Sequence, residues 1–260
     1  MMDEHAYQAF TDRLCANADA DPHVLGVVAL GSMADAARRD RWSDHDFFWI
    51  VESGLQEGYR RDLSWLPDAG AVVMALRETA HGLKVLFADG HLIEFAVFDP
   101  DEIALARVND AVILRDHADI AARIDAVRAR SGNGAFDPLH GVQTILGVLQ
   151  VGVGRYARGE RVTASRFIKG FAFEQLIPLL SAVVPPSQPE ALDNLDPFRR
   201  FERRYPALGA EIDRLLSADG VTCAAGWLDI LEREIAPRMV DFPTAALAAV
   251  RGVITVAVSL

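Results

Sequence analysis

Two apolar runs decide the fold: Val24-Leu-Gly-Val-Val-Ala-Leu-Gly-Ser32 and, twelve residues after Ser32, Asp44-His-Asp46-Phe-Phe-Trp-Ile-Val51. The first run is typical of a buried strand over residues 24–30 that ends in a Gly-Ser turn. The second predicts another strand over residues 46–51, which opens on two carboxylates. The beginning of the chain is therefore expected to build a β-sheet with polar residues at one end of it.

Asp44 and Asp46 are the first candidate site residues. In a strand, residues i and i+2 point to the same face, about 6.5–7 Å apart along the backbone. Two carboxylates so placed can converge on one or two hard divalent cations, while Gly31 and Ser32 let backbone N–H groups approach a phosphate. His45 is expected to point to the opposite strand face. The pattern indicates phosphoryl or nucleotidyl transfer.

Glu94 supplies a third acid. Asp89-Gly90 predicts a hairpin turn, because both residues tolerate a positive φ, and strands are expected over residues 82–88 and 91–98. Glu94 is the one acid among residues 92–98. A buried carboxylate without a partner is costly, so it needs a partner, a proton or a metal. Two alternatives stay open: Glu94 joins the two aspartates in a site, or it pairs with an arginine.

The composition indicates a globular protein with small-molecule partners. The 260 residues are 51% hydrophobic and carry a formal net charge of −11. This acidic balance disfavours nucleic acid as a partner and suits a neutral or cationic small substrate. Cys15 and Cys223 are the two cysteines, without zinc-ligand spacing, which indicates a reducing cytoplasm. The apolar residues 244–260 are interrupted by Arg251 and too few for a membrane span, so no membrane partner is expected.

The second half of the chain has helical periodicity. Apolar residues recur at three- and four-residue spacing from Val142 to Tyr156, and residues 131–134 predict a linker. We therefore expect an α+β fold in which residues 1–128 form a mixed sheet flanked by helices and residues 129–260 form an α-helical bundle. The apolar C-terminal helices suit a homodimer interface as well as a monomer core.

Lys84 and Lys169 are the two lysines of a chain that also contains twenty-four arginines. A sequence that otherwise uses arginine can keep a lysine where a compact point charge is needed, for instance on a phosphate. Lys169 is a candidate for that role, with an exposed surface lysine as the equal alternative. Lys84 begins a strand and is expected to be structural or exposed.

Gly31-Ser32, Asp44-x-Asp46 and Glu94 resemble the motif of the nucleotidyltransferase superfamily that includes DNA polymerase β. The chain looks most like the small bacterial antibiotic nucleotidyltransferases, especially the lincosamide group, in which Glu-Phe and an apolar residue also follow the hairpin. A looser similarity is the Arg-Gly-Glu segment at residues 158–160. This resemblance covers about the first 100 residues and implies that residues 1–128 are the catalytic domain.

The resemblance also implies roles for the site residues. Asp44 and Asp46 would hold Mg²⁺, with two ions in the full site, and Glu94 would be the general base or share a metal. Gly31 and Ser32 would hold the β- and γ-phosphates of a nucleoside triphosphate. In related enzymes the helical domain supplies a triphosphate-binding lysine, which here would be Lys169.

The expected reaction is transfer of a nucleoside monophosphate, AMP from ATP, to a hydroxyl of a small antibiotic-like acceptor. A lincosamide is the first choice of acceptor and an aminoglycoside the second. Residues 129–260 are expected to complete the nucleotide and acceptor cleft. Two alternatives are a nucleotidyltransferase of the antitoxin type that modifies a protein, and a non-catalytic nucleotide-binding regulatory protein on the same fold.

Overall fold

The computed structural model describes residues 3–130, 136–189 and 196–258, and the predicted linker over residues 131–134 lies outside them. The chain divides into two compact units, Met1–Gly132 and Asn133–Leu260. The first contains a β-sheet with helices and the second contains helices, which confirms the expected α+β class. Of the helices in the described ranges, none is long and apolar enough to cross a membrane.

Helix α1 (Glu4–Ala20) opens the first unit. The Asp3 side chain caps it by accepting a hydrogen bond from the N–H of Ala6 at 2.8 Å. Tyr7, Phe10 and Leu14 follow at helical spacing and are buried. This apolar stripe fixes the helix against the sheet.

The sheet of the first unit has six strands within residues 3–130. They are β1 (Val24–Leu30), β2 (His45–Val51), β3 (Val72–Arg77), β4 (Gly82–Phe87), β5 (Leu92–Phe98) and β6 (Ala111–Asp116). Their order across the sheet is β3-β4-β5-β2-β1-β6. Strands β2 and β5 are parallel, and the other neighbouring pairs are antiparallel. The predicted mixed sheet is therefore confirmed.

Strands β1 and β2 are buried on both faces along most of their length, which explains why they read as nearly continuous apolar runs. On β2, Phe47 and Trp49 pack on the face that also receives Phe10 and Leu14 of α1. Phe48 and Ile50 pack on the other face, with residues of α4 (Ile120–Arg130). The remaining helices of the unit are short: α2 (Gly31–Ala34), α3 (Gln56–Arg61) and the 3₁₀ turns Ala36–Arg38, Ala69–Ala71 and Glu102–Leu105.

The hairpin between β4 and β5 differs from the predicted two-residue turn. The N–H of Phe87 donates to the carbonyl of His91, and the N–H of Gly90 donates back to the carbonyl of Phe87, each at 2.9 Å. Gly90 has φ +87°, whereas Asp89 does not have a positive φ. The connection is thus a three-residue loop that ends in a left-handed glycine, a common alternative for hairpins. Its extra residue changes the register of the two strands by one.

The second unit is helical. It contains α5 (Pro138–Ala157), α6 (Arg161–Ser165), α7 (Ala172–Val183), α8 (Phe201–Arg204), α9 (Pro206–Ser217), α10 (Gly220–Ile230) and α11 (Thr244–Val258), together with the π-helical segments Arg166–Phe171 and Leu231–Ile235 and the 3₁₀ turn Ala236–Arg238. Ile145 and Leu149 of α5 pack in one core with Leu176 and Trp227. The Trp227 indole N–H is satisfied by the carbonyl of Ile168 at 2.9 Å. The predicted helical second half is confirmed.

Candidate active site

Asp46 and Glu94 lie side by side in the sheet. They are register partners in the parallel β2–β5 pair, and neighbouring strands are about 4.8 Å apart. Both are partly exposed, between residues that are buried on the opposite face. The strand pairing therefore brings two of the three predicted acids together, although 47 residues separate them in the sequence.

Lys84 extends this pair to a third strand. It is the register partner of Glu94 in the antiparallel β4–β5 pair. Lys84, Glu94 and Asp46 thus form one row across three neighbouring strands, which we call the charged row. The Lys84 ammonium lies 3.1 Å from Glu94 Oε1 and 3.0 Å from Glu78 Oε1. The ion-pair partner of Glu94 is therefore a lysine, and not the arginine of the alternative drawn from the sequence.

The environment of Lys84 follows from these contacts. Its side chain is 31% exposed and that of Glu94 is 36% exposed. Hydrogen bonds to Glu78 and then to Glu94 raise the pKa of Lys84, so that it stays cationic. Sequence reasoning treated Lys84 as structural or exposed. The rarity of lysine in the chain is the one signal that points to Lys84. The two-residue hairpin turn expected from the sequence places Val85, and not Lys84, opposite Glu94.

The Gly31-Ser32 turn lies beside Asp46. Gly31 has φ +52°, a left-handed conformation that L side chains rarely adopt. A Cβ atom built on Gly31 would lie 3.6 Å from Asp46 Oδ2. Glycine at this position therefore keeps backbone groups accessible next to a carboxylate of the charged row.

Asp44 precedes β2 and is fixed through its main chain. Its carbonyl oxygen accepts hydrogen bonds from the Tyr7 hydroxyl at 2.8 Å and from the Ser32 hydroxyl at 3.4 Å. These bonds connect the segment before β2 to helix α1 and to the Gly31-Ser32 turn. The strand prediction for residues 46–51 was one residue short, since β2 begins at His45.

Tyr7 is a further residue of the site, and no motif in the sequence singles it out. Its ring stacks on His45 with centroids 3.7 Å apart, and the Arg39 guanidinium lies 4.4 Å from its centroid. Burial raises the pKa of Tyr7 to about 12. The phenol therefore remains a hydrogen-bond donor to Asp44 at physiological pH.

His45 belongs to the core and not to the charged row. It is fully buried, and its Nδ1 lies 2.8 Å from Nε2 of His91. Its Nε2 lies 3.1 Å from the Thr11 hydroxyl. Burial, and then the neighbouring His91, lowers the pKa of His45 to about 3. The predicted orientation of His45 away from the two aspartates is confirmed.

Lys169 lies in the second unit, in the π-helical segment Arg166–Phe171. Its ammonium donates hydrogen bonds to the carbonyl oxygens of Leu216, at 2.8 Å, and Ala218. These carbonyls are at the C-terminal end of α9, where helical acceptors lack partners within the helix. The role of Lys169 in phosphate binding stays a prediction.

The two carboxylates of the charged row fit a magnesium ion. Magnesium in proteins takes one or two carboxylates and completes its shell with water and substrate phosphates. Asp46 and Glu94 offer oxygen ligands on adjacent strands, and Asp46 lies beside the turn that is predicted to hold phosphates. In residues 3–130, 136–189 and 196–258, no group of three or more His, Cys, Asp or Glu side chains is arranged to hold a metal ion.

Two cavities lie in the first unit. One, of about 150 Å³, contacts the Tyr7 side of the site and is lined by Asp3, Glu4, Tyr7, Asp40 and Arg41. The other, of about 440 Å³, is lined by residues that precede β1 or follow β2, among them His23 and Trp65. Because β1 and β2 are antiparallel, the larger cavity is at the end of these strands away from Gly31 and Asp46.

Comparison with known proteins gives matches of structure alone. No family model and no curated protein matches the sequence. An aminoglycoside 6-adenyltransferase from Bacillus subtilis is 13% identical, with 97% of this chain and 99% of that chain covered and a TM-score of 0.36. A c-di-GMP synthase from Capnocytophaga granulosa is 12% identical, with 98% and 82% covered and a TM-score of 0.28.

A CCA-adding enzyme in complex with CTP is also similar, at 12% identity and a TM-score of 0.33, with 96% of this chain and 66% of that chain covered. These three proteins are members of the nucleotidyltransferase superfamily. With TM-scores below 0.5, the similarities do not bear on the reaction of this chain. The reaction is therefore argued from its own residues.

Proposed function

We propose that this protein is a magnesium-dependent nucleotidyltransferase. It moves a nucleoside monophosphate, AMP from ATP, to a hydroxyl of a small antibiotic-like acceptor and releases pyrophosphate. The observation that carries the proposal is the register of the parallel β2–β5 pair, which puts Asp46 next to Glu94 at the end of the sheet where Gly31 turns. A carboxylate pair beside a phosphate-type turn is what this chemistry requires.

The chemistry assigns Glu94 the role of general base. The acceptor hydroxyl oxygen forms a bond to the α-phosphorus while its proton passes to Glu94. The bond from the α-phosphorus to the oxygen that bridges to the β-phosphate breaks, and pyrophosphate leaves with the electron pair. Base catalysis of this kind contributes about 10²–10⁴ in rate. Asp44 and Asp46 would hold two Mg²⁺ ions, which would offset charge developing on the phosphates. The adjacent positions of Asp46 and Glu94 also suit the alternative in which Glu94 shares a metal.

Residues around the two carboxylates have binding roles. The Gly31 backbone and the Ser32 hydroxyl contact the β- and γ-phosphates, and Ser32 already lies against the Asp44 main chain. Tyr7 holds Asp44 from the side of α1. Lys169 is the further candidate for a triphosphate contact, as predicted from the sequence.

The acceptor is a small hydroxylated molecule with positive charge, a lincosamide first and an aminoglycoside second. Two features support this class. The chain carries a net charge of −11, which favours cationic ligands. The cavity of about 150 Å³ beside Tyr7 is lined by the carboxylates Asp3, Glu4 and Asp40 together with Arg41, and it has room for an ammonium substituent.

The test is a transfer assay with labelled nucleoside triphosphates, Mg²⁺ and a panel of lincosamides and aminoglycosides. We expect pyrophosphate release and an acceptor heavier by one nucleoside monophosphate. Asp46→Asn should abolish turnover, whereas Asp12→Asn, which replaces an exposed acid of α1, should not change it. Absence of pyrophosphate release with every acceptor, together with absence of Mg²⁺-dependent nucleotide binding, would refute the proposal.

The same assay separates the two other candidate functions. Label found on protein and not on a small molecule would indicate a nucleotidyltransferase of the antitoxin type. Nucleotide binding that requires Mg²⁺ but leads to no transfer would indicate a regulatory protein. Either result would overturn the proposed acceptor class.

A further inference from the structure

We propose that Lys84 is a positioning residue that holds Glu94 in the orientation needed for the reaction. The proposal rests on the proposed function, because it concerns the base of that reaction. The proposal adds to that function a residue from a third strand, which neither the Asp44-x-Asp46 motif nor the Gly31-Ser32 turn contains. The basis is the charged row, in which Glu94 has a carboxylate on one side and an ammonium on the other.

Lys84 reduces the repulsion within the charged row. Like charges directly opposite each other on neighbouring strands repel, and Asp46 and Glu94 are register partners. Lys84 contacts Glu94 Oε1 at 3.1 Å from the strand on the other side. This contact holds the Glu94 carboxylate on the side of β4 and restricts its rotamers.

Lys84 has an anchor that does not depend on Glu94. Its ammonium also lies 3.0 Å from Glu78 Oε1. Glu78 is in the tight turn between β3 and β4, where its N–H donates to the carbonyl of Gly82 at 3.0 Å. Because two carboxylates hold the ammonium, Lys84 keeps its place when Glu94 changes its partners during a reaction.

The choice of lysine at this position fits the role. The chain uses arginine at twenty-four of its twenty-six cationic side chains, and Lys84 is one of two exceptions. A tetrahedral ammonium can donate to two carboxylates that approach from different directions, whereas the planar guanidinium fork suits one carboxylate in a bidentate pair. Glu78 and Glu94 approach from a turn and from a neighbouring strand, which matches the ammonium.

The experiment compares steady-state kinetics of the wild type with Lys84→Met, Lys84→Arg, Glu78→Gln, Glu94→Gln and the double variant Lys84→Met/Glu94→Gln. We expect Lys84→Met to lower kcat about 10- to 100-fold, since misplacing a reacting group by about 1 Å has effects of this size. The KM values for nucleotide and acceptor should stay within about twofold, as expected when only the transition-state interaction is affected. Lys84→Arg should restore part of the loss, and Glu78→Gln should cause a smaller one.

The double variant gives the sharpest readout. If Lys84 acts through Glu94, removing it from Glu94→Gln should cause no further loss of kcat. A matched control is Arg115→Met, which removes another strand cation from an ion pair, with Asp19, and should leave kcat unchanged. Multiplicative losses in the double variant, or a raised KM with unchanged kcat, would mean that Lys84 contacts substrate directly and would overturn the proposal.

The outcomes separate this inference from the proposed function. A wild type that transfers no nucleotide refutes the function and the inference together. A wild type that turns over with a Lys84→Met variant of equal kcat refutes the inference alone. If Lys84→Met fails to fold by circular dichroism, the kcat values of Lys84→Arg and Glu78→Gln decide, and wild-type values for both would overturn the proposal.

Discussion

The two lysines of the chain lie in two different environments, one in each unit. Lys84 stands on a partly exposed strand face between the carboxylates of Glu78 and Glu94. Lys169 donates to the main-chain carbonyls of Leu216 and Ala218 at the end of α9. The first lysine balances charged side chains that face solvent, and the second satisfies backbone acceptors of its own unit.

This difference suggests different roles: Lys84 serves the candidate site, and Lys169 stabilises the fold. Exposed ion pairs contribute only about 0.2–1 kcal/mol to stability. The ion pairs of the charged row should therefore add little to the stability of the fold. Helix-end carbonyls that are shielded from water need partners, so Lys169 has a clear structural reason. Substitutions in the charged row should therefore change turnover more than stability, and substitution of Lys169 should lower stability whether or not it also affects nucleotide binding.

Among the substitutions that test this comparison, the largest expected effect is that of Glu94→Gln. Glutamine keeps the size of the side chain but cannot accept the proton, so kcat should fall about 10²–10⁴-fold. The free energy of unfolding should stay within about 1 kcal/mol of the wild type, because the Lys84–Glu94 pair is partly exposed. Steady-state kinetics and urea unfolding measure the two quantities.

Glu52→Gln is a suitable control for that variant, since Glu52 pairs with His23 at the other end of β2. It should leave kcat unchanged. A Glu94→Gln enzyme with wild-type kcat would show that the charged row is not the site of reaction. Lys84 would then have no role in turnover that distinguishes it from Lys169.

The stability of the protein should depend on pH through two histidines on the face of the sheet opposite the charged row. His45 and His91 share a hydrogen bond in which one ring nitrogen must accept, so both rings cannot be protonated together, and burial lowers both pKa values, that of His45 to about 3. Since the unfolded value is about 6.5, the folded state binds fewer protons, and its stability declines as pH falls below 6.5 toward 3. Between pH 7 and pH 5, His45 alone should lower the free energy of unfolding by about 2 kcal/mol.

Urea unfolding at several pH values checks this expectation. The loss should be smaller in His91→Asn, which keeps a hydrogen-bonding side chain without the second titrating ring. His5→Asn, which replaces an exposed histidine of α1, should keep the wild-type dependence. A stability that does not change from pH 7 to pH 5 would contradict the assignment of a neutral buried pair.

Lys169→Met tests the second half of the comparison. It removes two charge-assisted hydrogen bonds to the end of α9, so the free energy of unfolding should fall by about 1–3 kcal/mol. Thermal or urea unfolding measures this loss. Lys84→Met is the matched variant and should be less destabilising.

Nucleotide kinetics of Lys169→Met test the role predicted from the sequence. A KM for the triphosphate raised about 10-fold would establish that Lys169 also contacts phosphate. An unchanged KM would restrict it to the end of α9. Unchanged stability would contradict the structural role assigned to it here.

The strands of the site could be predicted because burial on both faces produces apolar runs, as in β1 and β2. The sequence and the resemblance predict Glu94 as a third acid beside Asp44 and Asp46, but they do not give the register that pairs it with Asp46. The charged row could not be completed, because one extra residue in the hairpin loop decides whether Lys84 or Val85 lies opposite Glu94. Strand β6 was missed altogether.

Other contacts depend on long-range packing that local patterns do not contain. Tyr7 has the spacing of an apolar helix residue, but its hydroxyl bond to the Asp44 main chain spans 37 positions. The Lys169 bond to Leu216 spans 47 positions. Rarity of lysine in the sequence identified both Lys84 and Lys169 as unusual, yet only their partners distinguish the two roles.

The smallest expected effect concerns Gly31 and separates backbone strain from interference with the site. Gly31 and Gly54 both have positive φ, +52° and +91°, but only Gly31 has a carboxylate near its missing Cβ. Alanine at either position should lower the free energy of unfolding by about 1 kcal/mol or slightly more, since L residues are disfavoured there. Gly31→Ala should in addition raise the KM for nucleotide about 10-fold, because its methyl group lies next to Asp46 Oδ2 where phosphates are proposed to bind. Gly54→Ala has open space around it and should keep the wild-type KM. Equal KM values for the two variants would show that the phosphates do not bind at the Gly31 turn, even if both variants lost the same stability.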